Sequence, residues 1–190
     1  EGDNVSLRHF EVLDAEGNVY LANLRTAKQR IDYTLRGGEE ERYHPHFTFQ
    51  GFRYVMIERW PGTPKLDDFV AVVLHSAMAP TGSIETSNAE LNQLHHNILW
   101  GLKGNFVDIP TDCPQRDERL GWTGDAQIFC RTASYLMQTD TFFAKWLADL
   151  AHDQTAEGGV PHVIPDILTG KCDNDRFLSH GRTHSSAAWA

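Results

Sequence analysis

The chain has 190 residues, of which 41% are hydrophobic, enough for a packed core and too many for a disordered tail. Its 17 basic residues against 26 acidic ones leave a net charge of −9. That balance argues against a nucleic-acid binder, whose affinity rests on basic contacts with phosphates, and suits a neutral substrate. No stretch approaches the ~18 apolar residues of a membrane span, and Glu1-Gly2-Asp3-Asn4 has no basic-then-apolar leader pattern. The compartment and the oligomeric state are not readable from these features.

Residues 1–80 read as β structure. Short alternation covers Val5 and Leu7, then Phe10 and Val12, and Ala15-Glu16-Gly17-Asn18 predicts a turn before Val19-Tyr20-Leu21. Tyr33-Thr34-Leu35 runs into Gly37-Gly38. Phe47-Thr48-Phe49 and Phe52 to Ile57 are rich in aromatic and branched residues and predict further strands. After Pro61-Gly62-Thr63-Pro64, the nearly all-apolar run Val70-Ala71-Val72-Val73-Leu74 predicts a last strand covered on both faces. Short strands with polar turns suggest a β-sandwich, here without all of its strands.

Ala79-Pro80-Thr81-Gly82 reads as a linker, and residues 81–190 read as helical. Ser87 followed by Glu90 three residues later predicts a capping box. Leu91, Leu94, Ile98 and Leu102 then share one helix face, with Gly104 and Asn105 able to end it. A second helix is expected over residues 126–137 with Ile128, Phe129, Thr132 and Leu136 buried. A third is capped by Thr139 or Asp140 and carries Phe143, Trp146, Leu147 and Leu150 to about His152. From Thr155 the glycines and prolines break any helix, and Asp166, Asp173 and Asp175 read as solvated loop residues.

Between the first two helices lies Asp112-Cys113-Pro114-Gln115-Arg116-Asp117-Glu118-Arg119-Leu120-Gly121-Trp122-Thr123-Gly124-Asp125-Ala126. It holds four carboxylates, two arginines, a tryptophan and two glycines in fifteen residues. A sugar-cleaving site needs one carboxyl group that donates a proton to the leaving oxygen and a second that activates water or attacks the ring. It also needs groups that grip hydroxyls and a flat aromatic face. Asp112, Asp117, Glu118 and Asp125 are candidates for the first needs, and Arg116, Arg119 and Trp122 for the second. Crowded carboxylates raise the proton affinity of at least one, but spacing leaves open which. The competing reading is a solvated loop with surface ion pairs.

The order of residues in this run closely resembles the signature of the bacterial α-L-rhamnosidases of glycoside hydrolase family 78. The likeness extends to Asn97-Ile98-Leu99-Trp100 upstream, to Phe143 to Leu150 with Gly159-Val160-Pro161 downstream, and to Phe49-Gln50-Gly51-Phe52-Arg53-Tyr54-Val55 in the β region. It implies an α+β multidomain fragment, with the end of a β-sandwich at 1–80 and the first helices of an (α/α)6 barrel at 81–190. The implied activity is inverting hydrolysis of rhamnose-containing glycosides, without a cofactor. Residue by residue, the resemblance makes Glu118 the general acid and Asp112, Arg116, Trp122 and Asp125 sugar-pocket residues. Asp117 also matches, with a less defined role, and Trp189 resembles a later pocket tryptophan. The family's general base is a glutamate far downstream, and no position of this sequence corresponds to it. The chain is therefore expected to be part of a longer enzyme.

Two other classes stay open. Ten histidines, with His44/His46, His95/His96 and His180/His184 as pairs, invite a metal reading, but three or four converging ligands are needed and no pattern supplies them; no metal is expected. Cys113, Cys130 and Cys172 form no disulfide or metal spacing, and Cys130 is expected to be a small buried hydrophobe. The second class is a non-catalytic carbohydrate-binding or structural fragment that keeps only the sugar-gripping half of a site. Binding without turnover would mark it.

Overall fold

A computed structural model describes residues 1–156 and 158–168. The chain divides into two compact units, one of residues 1–74 with 114–119, the other of residues 75–113 with 120–190.

The first unit is built on β1 (Asn4–Phe10), which pairs antiparallel with β4 (Arg30–Thr34) on one side and β5 (Tyr54–Arg59) on the other. A two-stranded hairpin of β2 (Val12–Leu13) and β3 (Val19–Tyr20) lies between β1 and β4 along the chain. Its turn falls over Ala15–Asn18 because Asp14 organises it: Oδ1 accepts the amides of Glu16 and Asn18 at 3.1 and 2.7 Å, and Gly17 adopts a φ of 85°. The central strand carries polar side chains. Arg8 Nε donates to Glu58 Oε1 at 2.6 Å, Ser6 Oγ donates to Glu58 Oε2 at 3.1 Å, and Arg30 Nε lies 3.4 Å from the same oxygen.

Two strand expectations fail. Phe47-Thr48-Phe49 is irregular, with Phe47 at a φ of 57° and fully exposed. Val70-Ala71-Val72-Val73-Leu74 is not a strand either, and Val70 and Val72 are 82% and 68% exposed. A strand needs a neighbour to take its backbone hydrogen bonds, and neither run pairs with another strand among the described residues.

The second unit carries α1 (Ala89–Asn105), a short β6–β7 hairpin (Phe106–Val107, Ile109–Pro110), α2 (Thr123–Leu136) and α3 (Asp140–Asp153). The α1 cap is Asn88, one residue beyond the expected Ser87. Its side chain accepts from both Glu90 N and Leu91 N, at 2.9 and 3.3 Å, so it satisfies two of the amides a helix start leaves open. The main core joins Met78, Leu102, Phe106, Ala133, Leu136, Met137 and Phe142, with Phe106 and Phe142 stacked at 4.5 Å. A second cluster joins Ala126, Trp146, Leu150, Val160 and Ile164.

The buried faces differ from those the periodicity predicts. On α2 the small residues Ala126 and Ala133 face inward and let neighbours approach closely, so Ile128 turns out at 80% exposure and Thr132 is exposed. On α3 Phe142 is buried and Leu147 is not. On α1 only Leu102 of the expected face is buried, Ile98 packs against the core, and Leu91 and Leu94 are exposed. Cys130 is half-buried, where full burial is expected.

The Glu58 network generates a pH prediction. Burial works against the charged carboxyl, but hydrogen bonds from Arg8 and Ser6 and the charges of Arg8 and Arg30 outweigh it, holding Glu58 below its usual range. A carboxyl with a lowered folded value contributes stability that is complete above its unfolded value near 4.5 and is lost as pH falls through the folded one. Glu58→Gln should therefore destabilise the sheet unit at pH 7, by on the order of 1 kcal/mol or less for a part-exposed pair. In thermal scans the gap to wild type should close toward pH 3; a gap unchanged from pH 7 to 3 contradicts the assignment.

Candidate functional site

The fifteen-residue run is divided between the units, with 114–119 in the sheet unit and 112–113 and 120–126 in the helical unit. In the helical unit Asp112 closes the base of the loop. Its amide donates to Leu120 O at 3.2 Å and its Oδ1 accepts Leu120 N at 2.9 Å. Its Oδ2 accepts the buried Cys113 thiol at 3.1 Å.

Gly121 follows, and its backbone is pressed against the segment that bears Pro161 to Ile164. Ile164 N donates to Gly121 O at 2.9 Å, and the Trp146 indole donates to Ile164 O at 3.2 Å. A Cβ at 121 would collide with Ile164 O and come within 3.2 Å of Trp146 Nε1. Thr123 is buried and starts α2: its amide and hydroxyl both donate to His162 O, at 2.9 and 3.0 Å. Trp122 is the helix cap residue and bridges to Val163. Its indole Nε1 is shielded from solvent and finds no acceptor among the described residues. Asp125 stands exposed in the first turn of α2, where the helix dipole favours a negative charge. Asp112 and Asp125 are the two carboxylates of a groove of about 600 Å³, whose apolar wall includes Ile98, Leu102, Phe106 and Phe129.

In the sheet unit Glu118 Oε2 is held by two guanidinium groups, Arg25 Nη1 at 2.9 Å and Arg116 Nη2 at 3.2 Å. The Thr26 hydroxyl donates to Asp117 Oδ2, and this bond holds the Asp117 carboxyl below the usual carboxylate range. The Gln29 side-chain amide donates to Gln115 O. Arg119, at a φ of 52°, turns back on the loop and donates to Arg116 O and Gln115 O at 2.9 and 3.1 Å. Gly51 leaves room for Pro114: a Cβ there would meet Pro114 carbon atoms at 2.9 Å.

Of the residues singled out from sequence, Arg116 and Glu118 are thus paired directly, Asp117 is anchored beside them, and Asp112 and Asp125 share one groove. Trp189, Asp173, Asp175, His180, His184 and Cys172 lie outside the described residues. Arg25, Thr26, Gln29 and Gly51 are the residues that sequence reasoning missed. The first three stand in a segment without periodic or motif character, 86 to 93 positions from their partners. Gly51 lies in the stretch that carries the family likeness, and that was its only signal.

Two family models match the chain. The bacterial alpha-L-rhamnosidase 6 hairpin glycosidase domain matches residues 79–190, and the bacterial alpha-L-rhamnosidase concanavalin-like domain matches residues 1–75. An alpha-L-rhamnosidase of Streptomyces avermitilis is 48% identical over 166 residues, covering 87% of this chain and 16% of that protein. One from Formosa agariphila is 44% identical over 170 residues, covering 88% of this chain and 18% of that protein. The crystal structure of the Streptomyces avermitilis alpha-L-rhamnosidase complexed with L-rhamnose superposes with a TM-score of 0.84 over 87% of this chain and 16% of that one. The alpha-L-rhamnosidase of Dictyoglumus thermophilum superposes equally well, at 0.84 and 41% identity, over 87% of this chain and 19% of its own. The chain spans less than a fifth of the length of these relatives.

The Gly121 contact makes a direct prediction. Gly121→Ala forces the backbone of the loop away from Ile164, and overpacking of this kind costs about 1–3 kcal/mol. Thermal or urea unfolding should register that loss; an unchanged midpoint contradicts the close approach.

Proposed function

The chain belongs to the bacterial alpha-L-rhamnosidase family, and from that premise we propose that the protein is an inverting glycoside hydrolase that releases terminal α-L-rhamnose. The observation that carries the reading is the fifteen-residue motif, whose Glu118 carboxyl Arg25 and Arg116 hold by one oxygen and so fix in direction. A general acid must present its proton in a fixed direction toward the leaving oxygen. With Oε2 occupied by two cationic donors, Oε1 is the oxygen that carries the proton. In the proposed step Oε1–H passes its proton to the glycosidic oxygen as the bond from that oxygen to the anomeric carbon breaks. A water deprotonated by a second carboxylate attacks the opposite face. We assign that base to no residue of this chain.

The remaining roles follow from the chemistry of each group. Asp117 accepts a hydrogen bond from Thr26 and favours its ionised form, which suits it to anchoring the loop or accepting a sugar hydroxyl. Arg116 has a planar fork of donors for hydroxyl oxygens beside its bond to Glu118. Trp122 offers a half-buried ring and an indole N–H without an acceptor among the described residues, a combination that suits the apolar face and one hydroxyl of a sugar. Asp125 and Asp112, both on the groove, are proposed sugar-binding acceptors, and Trp189 a further pocket residue.

The test is the substrate and its stereochemistry. The whole protein should hydrolyse α-L-rhamnosides, and proton NMR of the first minutes should show β-L-rhamnose released ahead of mutarotation. Release of the α anomer first would contradict inversion. Binding of rhamnose without turnover would move the protein to the carbohydrate-binding class.

A further inference from the structure

We infer that Arg25, supplied by the sheet unit, is the positioning residue of the proposed general acid, because its ion pair fixes which Glu118 oxygen carries the proton. The inference rests on the role of Glu118 proposed above.

Arg25 does not meet the loop by a chance surface encounter. It follows a single 3-10 turn, Ala22–Leu24, anchored by Leu24 at 2% exposure. Its own backbone has a φ of 57° and a ψ of −120°, a conformation that costs a non-glycine residue on the order of 1–3 kcal/mol and persists only where its surroundings impose it. Four residues on, Gln29 is 3% exposed and has a φ of 48°. Gln29 is fixed from behind: its carbonyl accepts His9 N at 2.8 Å and faces His9 Nδ1 at 3.1 Å on the central strand. Between these two points the segment makes three contacts with the loop: Arg25 with Glu118, Thr26 with Asp117, and Gln29 with Gln115. Three residues of this segment therefore grip three of the loop, the two stretches running in opposite directions.

The geometry at Glu118 is one-sided. Arg25 Nη1 and Arg116 Nη2 both reach Oε2, and neither ion pair reaches Oε1. A neutral carboxylic acid keeps both contacts only if its proton sits on Oε1. Loss of Arg25 leaves the carboxyl with Arg116 alone and frees it to rotate. The pair itself is half in solvent, with Arg25 at 51% and Glu118 at 24% exposure, so it adds little to stability. Its effect should appear in the chemical step and leave folding nearly untouched.

The test uses the whole protein and two α-L-rhamnosides, methyl as a poor leaving group and 2,4-dinitrophenyl as one that needs little protonation. Arg25→Gln should lower kcat on the methyl glycoside by about 10- to 100-fold, part of the range that positioned proton transfer provides, with KM little changed. The dinitrophenyl glycoside should lose less than about threefold. Arg25→Lys should restore part of the loss, since it returns the charge without the planar fork. In a Glu118→Gln background, Arg25→Gln should add no further loss, because a residue that acts through another has no effect once that partner is gone. An equal loss on both substrates, no loss at all, or losses that multiply with Glu118→Gln would overturn the inference. If Arg25→Gln fails to fold, Arg25→Lys carries the same comparison, and a loss confined to the methyl glycoside is the expected result. A wild type that turns over no rhamnoside removes the functional reading and this inference with it, whereas an active wild type with any of the overturning patterns removes this inference alone.

Discussion

The loop depends first on Asp112. Its amide and its carboxylate both bond the backbone of Leu120, closing a ring that begins and ends in the helical unit. A segment of this length without helix or strand would otherwise be spread by its own conformational entropy. The closure brings the chain back at Leu120, and the next residue, Gly121, has no Cβ to keep its backbone from lying against Ile164. Thr123 then starts α2 by bonding His162 O, so that the end of the loop and the start of a helix are fixed by the same neighbouring segment.

The charges of the loop are handled in different ways, and this gives chemically similar groups different tasks. Asp117 accepts a hydroxyl donor, which favours its charged form. Glu118 accepts two guanidinium groups at one oxygen, which fixes its direction. Asp125 sits exposed in the first turn of a helix, where its charge meets the open amide end. A net charge of −9 over the chain thus coexists with a local concentration of Arg25, Arg116 and Arg119 around the loop tip.

The motif and the three helices were legible because both are local. A fifteen-residue order of charged, glycine and aromatic residues needs no tertiary information, and helix periodicity survives a shift of one residue at Asn88. The inward faces were less legible. Ala126 and Ala133 carry no strong hydrophobic signal, yet close packing selects them over Ile128. The strands at Phe47 and Val70 were misread because strand formation depends on a partner, and composition reports only the preference for one. The grip of Arg25, Thr26 and Gln29 on the loop was invisible for another reason. It joins positions far apart in sequence through single side chains, and no spacing rule connects them.

Proton donation by Glu118 in rhamnoside cleavage is the proposed step on which the other proposed roles depend. The most direct measurement is the dependence of rate on leaving-group acidity across a series of aryl α-L-rhamnosides, for the whole protein with and without Glu118→Gln. The dependence should be shallow in wild type and steep in the variant. The loss should be about 10²–10⁴-fold for the poorest leaving groups, the span of general acid catalysis, and should shrink toward the best. Parallel lines with the same loss at every leaving group would contradict that step and move the proton to another residue.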